Sequence, residues 1–142
     1  MSERPILEVE RLTIRYGRLT AVEDLSLAVP QGSVYALLGR NGSGKSSTVR
    51  CLLGQQRPTT GRTRLLGLDS WTERCTIMTS VGVVSETPNI PPETTADRLE
   101  RFMAKVSANW DRNKYASRLE RFGVPRQSRF DRLSKGQKAQ LS

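Results

Sequence analysis

The run Gly39-Arg40-Asn41-Gly42-Ser43-Gly44-Lys45-Ser46 has the spacing G-x-x-x-x-G-K-S. Each residue type there has a physical task. The glycines let the backbone curl until successive N–H groups point inward at an anion. Lys45 supplies a point charge for the terminal phosphates, and the Ser46 hydroxyl can ligate Mg²⁺. The chemistry this predicts is the binding of a nucleoside triphosphate with its magnesium by Gly39, Arg40, Asn41, Gly42, Ser43, Gly44, Lys45, Ser46 and Ser47. The bland alternative is a glycine-rich turn, and the flanking segments decide between the two.

Such a loop needs a strand feeding into it and a helix leaving it. Ser33–Leu38 is apolar on both faces and predicts a buried, central strand. Ser46–Leu53 predicts a helix closed by Gly54, and its N-terminus would add partial positive charge at the phosphates. Upstream, Ile6–Ile14 partly alternates apolar and polar residues and Leu25–Val29 alternates again, with a turn at Tyr16-Gly17-Arg18. Shorter strands are expected at Arg62–Leu66 and Val81–Val84. After Pro91-Pro92 the pattern turns helical. Thr94 and Asp97 resemble a capping box, followed by the stripe Leu99, Phe102, Met103, Val106. A second helix begins near Asp111 with Tyr115, Leu119 and Phe122 on one face, stopped by Gly123 and Pro125. A third starts at Ser134, boxed with Gln137. The expected division is 1–87 and 88–142, hinged within Pro88–Thr95.

The 142 residues suit one compact domain with a core, with 36% apolar and 26% charged residues. No stretch has the ~18 apolar residues of a membrane helix, and the first residues form no signal peptide. Cys51 and Cys75 fit neither a metal spacing nor a disulfide framework. Cytosol is the expected compartment. The net charge of +9 is uneven. Residues 1–96 hold 11 basic and 9 acidic side chains, and residues 97–142 hold 12 and 5, a net of +7. That half could face nucleic acid, an anionic membrane, an acidic partner or only solvent. It has no base-stacking aromatics, which argues against nucleic acid.

Leu133-Ser134-Lys135-Gly136-Gln137 downstream of the loop resembles the L-S-G-G-Q signature of the ATP-binding cassette family, and the whole chain is similar to that family in order. The resemblance implies an α/β fold: a P-loop core sheet with N-terminal antiparallel strands and a helical subdomain. It implies ATP as the nucleotide, Mg²⁺ as the metal, Tyr16 stacked on adenine with Val22 packed nearby, and Ser46 on the metal. Because stacking uses the ring face, Tyr16→Phe is expected to be tolerated. Ser134, Gly136 and Gln137 would act in trans at the γ-phosphate of a second nucleotide-binding domain.

Two positions depart from the pattern. Lys135 replaces the signature's first glycine. Glu86 stands where the family usually has a metal- and partner-sensing Gln. The run Val81–Glu86 resembles the variant of drug and antibiotic exporter subunits, as do Asn109-Trp110-Asp111 and Lys135. The resemblance covers roughly the first two-thirds of a cassette and stops before its second acidic motif and switch His.

The implied function is the energising subunit of a membrane transporter, with separate transmembrane subunits as partners, peripheral on the cytoplasmic face. These 142 residues are expected to bind ATP and hydrolyse it poorly or not at all. The alternatives are a soluble cassette ATPase acting on ribosomes or DNA, and a non-hydrolytic nucleotide-binding fragment.

Overall fold

The computed structural model describes residues 4–84, 90–107 and 109–141. The chain divides into two units, 1–82 and 83–142, each around its own apolar cluster.

In the first unit β1 (Leu7–Tyr16) and β2 (Leu19–Val29) form a hairpin, and β3 (Thr60–Leu65) and β4 (Leu68–Asp69) extend it in the order β2-β1-β3-β4. Every pairing is antiparallel. Gly17, at φ 58°, makes the hairpin turn that a side chain would disfavour. The imperfect alternation of β1 has a cause. The register shifts between Val9 and Leu12, where Arg11 sits at φ 46°. This bulge lets Val9 and Leu12, three residues apart, both face the core with Ile14. Arg11 N–H donates to Ser26 Oγ at 2.9 Å, and its guanidinium meets Asp24 at 3.3 Å. On the other face Arg62 pairs with Glu10 at 2.6 Å and Arg64 with Glu10 at 2.7 Å, which ties β3 to β1.

Helix α1 (Lys45–Leu52) lays Thr48, Cys51 and Leu52 inward, and the two apolar ones join Val9, Leu12, Ile14 and Val22 in one cluster. It ends in a Schellman motif: Gly54 N–H donates to the Cys51 carbonyl at 3.1 Å and Gln55 N–H to that of Arg50 at 2.8 Å. Gly54 is left-handed at φ 61°, and a Cβ there would collide with the Ser70 carbonyl. A short α2 (Arg74–Met78) buries Ile77.

Two expected strands are absent. Residues 33–38 and 81–84 have no strand assignment, and Val34, Leu38 and Val84 are exposed. A parallel, buried strand exists only with neighbours that take its N–H and C=O groups. Neither segment pairs with a described strand, so their apolar character does not become a ladder. The described sheet is the N-terminal antiparallel one, and the expected P-loop core sheet is not seen.

In the second unit α3 (Ala96–Val106) is capped by Thr95, whose hydroxyl accepts from Arg98 N–H at 3.3 Å. The cap falls one residue later than the expected Thr94, because the Thr94 carbonyl is taken by Phe130 N–H at 2.8 Å. The α3 stripe is only half used. Leu99 packs on the cluster, while Phe102 and Val106 are about 60% exposed. Helix α4 (Arg112–Arg121) is capped by Asp111 and buries Tyr115 and Leu119, but Phe122 stays exposed. After a 3-10 turn at Phe130–Arg132 comes α5 (Lys135–Gln140). Ala96, Tyr115, Leu119, Val124, Phe130, Leu133 and Leu141 make the core.

Candidate phosphate-binding site

The loop 39–44 runs into α1 with Gly42 at φ 84° and Gly44 at φ 85°. Gly44 is the N-cap of α1, and no side chain caps that turn. The first N–H groups of a helix have no intrahelical partner, so the uncapped start leaves donors for an anion. Glycine is required at 44 for two reasons. Its φ is left-handed, and a Cβ would run into the Ala21 carbonyl and Val22 Cγ2. This close approach seats Val22 against the loop.

Lys45 closes the loop from within. Its ammonium donates to the Gly39 carbonyl at 2.6 Å, the Arg40 carbonyl at 2.8 Å and Ser43 Oγ at 3.5 Å. Three donors thus converge on the loop, and the cation sits amid its own peptide groups. Arg40, Asn41 and Ser46 are exposed, and Ser47 is half-buried. The arrangement gathers an ammonium and uncapped N–H groups, the kinds of donor that can take phosphate oxygens.

Tyr16 stands at the end of β1, partly exposed. Its hydroxyl lies 2.7 Å from Gln56 Oε1 and 3.0 Å from Ser47 Oγ. A phenol has one proton to give, so it donates to Gln56 and accepts from Ser47. The Ser47 bond stabilises the phenolate and holds the Tyr16 pKa below its ordinary value. Gln56 was not singled out in the sequence. No motif marks it, and only the fold brings it to Tyr16.

Tyr16, Val22 and residues 39–47 are therefore brought together in the first unit. Ser134, Gly136 and Gln137 lie together at the start of α5 in the second. Ser134 Oγ accepts from Gln137 N–H at 3.2 Å, and Gln137 Oε1 accepts from Ser134 N–H at 3.0 Å, the full capping box. Gln137 Nε2 also donates to the Gly123 carbonyl at 2.7 Å. Ser134, Lys135 and Gly136 are exposed. Glu86 lies outside the described residues. The second unit also has an open cavity of about 780 Å³ lined by Trp110, Lys114, Arg118, Arg121 and Phe122 among others, which contains none of these signature residues.

As a test of fit, the residues present suit a triphosphate: glycine where a Cβ is excluded, an ammonium, and uncapped N–H groups. For Mg²⁺ the loop offers the Ser46 hydroxyl. Among the described residues no group of three or more His, Cys, Asp or Glu could hold a metal by itself. An ion here would be one carried by phosphate oxygens, the usual habit of magnesium. No helix among the described residues is long and apolar enough to cross a membrane.

Comparison with known proteins accords with this geometry. The sequence model of the ABC transporter family matches residues 22–142. The bacitracin transport ATP-binding protein BcrA of Enterococcus faecalis is 33% identical over 138 residues, covering 96% of this chain and 45% of that protein. Its namesake in Bacillus licheniformis is 31% identical with the same coverage. The chain spans about half the length of these curated relatives. A solved ATP-binding subunit of an ABC transporter superposes with a TM-score of 0.80 at 27% identity, over 96% of this chain and 59% of that one. With the family match spanning most of its length, the chain belongs to the ABC transporter family, in its ATP-binding subunit.

Proposed function

We propose that this chain binds Mg-ATP at Gly39–Ser47 and serves as the nucleotide-binding part of a transporter's energising subunit. The observation that carries the reading is the Lys45 ammonium at the centre of a glycine loop that opens onto an uncapped helix. On binding, phosphate oxygens take over from the Gly39 and Arg40 carbonyls as partners of Lys45, and the N–H groups at the start of α1 donate to the same phosphates. Ser46 ligates Mg²⁺ arriving with the nucleotide. The ring of Tyr16 takes the base, with Val22 behind the loop. The ion supplies charge neutralisation for the phosphates when bound.

Further parts of the proposal rest on sequence position and the exposure of α5. Ser134 and Gly136, with Gln137 supporting, reach the γ-phosphate held by a second copy or a related domain. Glu86 senses the metal site and the membrane partner. Separate transmembrane subunits form the channel, and the assembled protein sits on the cytoplasmic face of the membrane. The bacitracin transport ATP-binding proteins among the relatives support a drug- or antibiotic-like cargo. The 142 residues alone bind ATP and hydrolyse it poorly or not at all, because transfer to water needs a positioned nucleophile and further metal ligands besides Ser46. Nucleic acid is not proposed as a partner.

Calorimetric titration with Mg-ATP tests the core of this reading. Lys45→Ala should abolish measurable binding while far-UV circular dichroism stays unchanged. Undiminished affinity in the folded variant would remove the phosphate-cradle assignment. Phosphate release by the wild-type chain, with Lys45→Ala as background, tests the turnover claim. A rate well above background would contradict it.

A further inference from the structure

Three segments meet at the Tyr16 hydroxyl. Tyr16 ends β1, paired with Leu19 across the hairpin. Ser47 lies in the first turn of α1. Gln56 follows the Schellman motif that ends α1, its N–H on the Arg50 carbonyl at 3.3 Å. The helix end is thus fixed by its own backbone bonds, and Gln56, half-buried, is presented to Tyr16 from a set position. The phenol bridges the two ends of α1 through Ser47 Oγ at 3.0 Å and Gln56 Oε1 at 2.7 Å.

A ring that only stacks needs no hydroxyl, and an exposed tyrosine on a hairpin end samples several rotamers. Two bonds to one oxygen select one of them. We propose that Gln56 is a positioning residue for nucleotide binding: through the Tyr16 hydroxyl it fixes the ring as a base platform and ties that platform to Ser47 in the phosphate loop. The inference rests on the reading of Tyr16 as the base-stacking residue. It revises the expectation that Tyr16→Phe is tolerated, because the Phe ring loses both bonds. The ligand part that gains is the nucleobase, so the device acts on ATP and not on a bare polyphosphate.

The test compares Mg-ATP with Mg-tripolyphosphate by calorimetry on the 142-residue chain. Gln56→Leu and Tyr16→Phe should each weaken Mg-ATP about three- to tenfold, the value of one or two neutral hydrogen bonds. Both should leave tripolyphosphate within about twofold. Gln56→Glu, which keeps an acceptor for the phenol, should restore most of the ATP affinity. A purely structural role for Gln56 would lower both ligands together and would overturn the proposal. Unchanged ATP affinity in Gln56→Leu and Tyr16→Phe, with a loss in Tyr16→Ala, would overturn the positioning role and leave stacking intact. Unchanged affinity in Tyr16→Ala as well would overturn stacking and, with it, this inference.

Discussion

At the start of α1 the N-cap is Gly44, left-handed, and no side chain caps its backbone N–H groups. At the start of α5 Ser134 and Gln137 close a reciprocal box on each other's backbone N–H groups. Both sites are read from sequence as helix N-termini for phosphate. In the structure, one leaves its donors open and the other has satisfied two of them internally. An open start is costly unless an anion or water meets it. A boxed start is stable by itself, so ligand must compete with the box. Under the proposed reading, the difference makes α1 the better candidate for primary nucleotide binding. It leaves α5 as a stable turn whose remaining donors and exposed Ser134 suit a contact made later, by a second molecule.

The comparison can be broken first at Gly44. Gly44→Ala puts a Cβ into the Ala21 carbonyl at a left-handed φ. It should cost about 2–4 kcal/mol of stability and eliminate Mg-ATP binding. Urea unfolding followed by circular dichroism measures the first, and a loss under about 0.5 kcal/mol would show that the backbone relaxes away from Ala21. The matching change at α5, Ser134→Ala, opens the capping box and should cost about 1 kcal/mol. It should leave Mg-ATP affinity of the dilute chain unchanged. A clear loss of affinity there would mean that α5 belongs to the primary site.

The two units should also separate in pH. In the first, the Asp69 carboxyl accepts from Thr72 and Trp71 N–H groups, and Arg62 faces Glu10, which holds both acids below their ordinary range. Folded values lowered in this way stabilise above the ordinary carboxylate pKa, and that part is lost as pH falls through the folded values. Glu10 is exposed and adds little. In the second unit burial pushes Tyr115 up to about 12. A raised folded value gives stability that is complete below the ordinary tyrosine pKa near 10 and is lost as pH climbs toward 12. Acid should therefore loosen the first unit and alkali the second. Tyr115→Phe should lose about 1 kcal/mol at neutral pH, from the bond to the Ala96 carbonyl, and flatten the alkaline slope. Thermal melts from pH 3 to 11 check this, and an unchanged alkaline slope in the variant would discard Tyr115 as its source. The smallest expected effect concerns the basic residues 97–142. Mobility-shift assays with DNA and RNA at physiological salt should show no tight complex. Tight, steeply salt-dependent binding would revive the ribosome or DNA alternative.

The features legible in the sequence were those carried by short-range chemistry. Glycine spacing marks the loop, Gly54 and Gly123 mark helix ends, and Ser134 with Gln137 marks a box. Each depends on residues within a few positions of one another. What escaped depends on distant partners. Ser33–Leu38 has the composition of a buried strand, yet a strand is a pairing, and no described neighbour supplies one. The bulge at Arg11 breaks the alternation of β1 because Ser26, on another strand, takes its N–H. Thr95 rather than Thr94 caps α3 because Phe130 claims Thr94 from a distant loop. Gln56 meets Tyr16 across forty positions, and nothing local announces that contact.

Amide chemical shifts during a titration with Mg-ATP test the contrast between the two helix starts most directly. The open start of α1 should respond first: the resonances of Gly42, Gly44, Lys45, Ser46 and Ser47 should move most, saturating with the calorimetric isotherm. Those of Lys135, Gly136 and Gln137, behind a closed box, should stay in place in dilute chain. The largest shifts at Lys135–Gln137, with residues 42–47 unmoved, would contradict the assignment of phosphate binding to the uncapped helix.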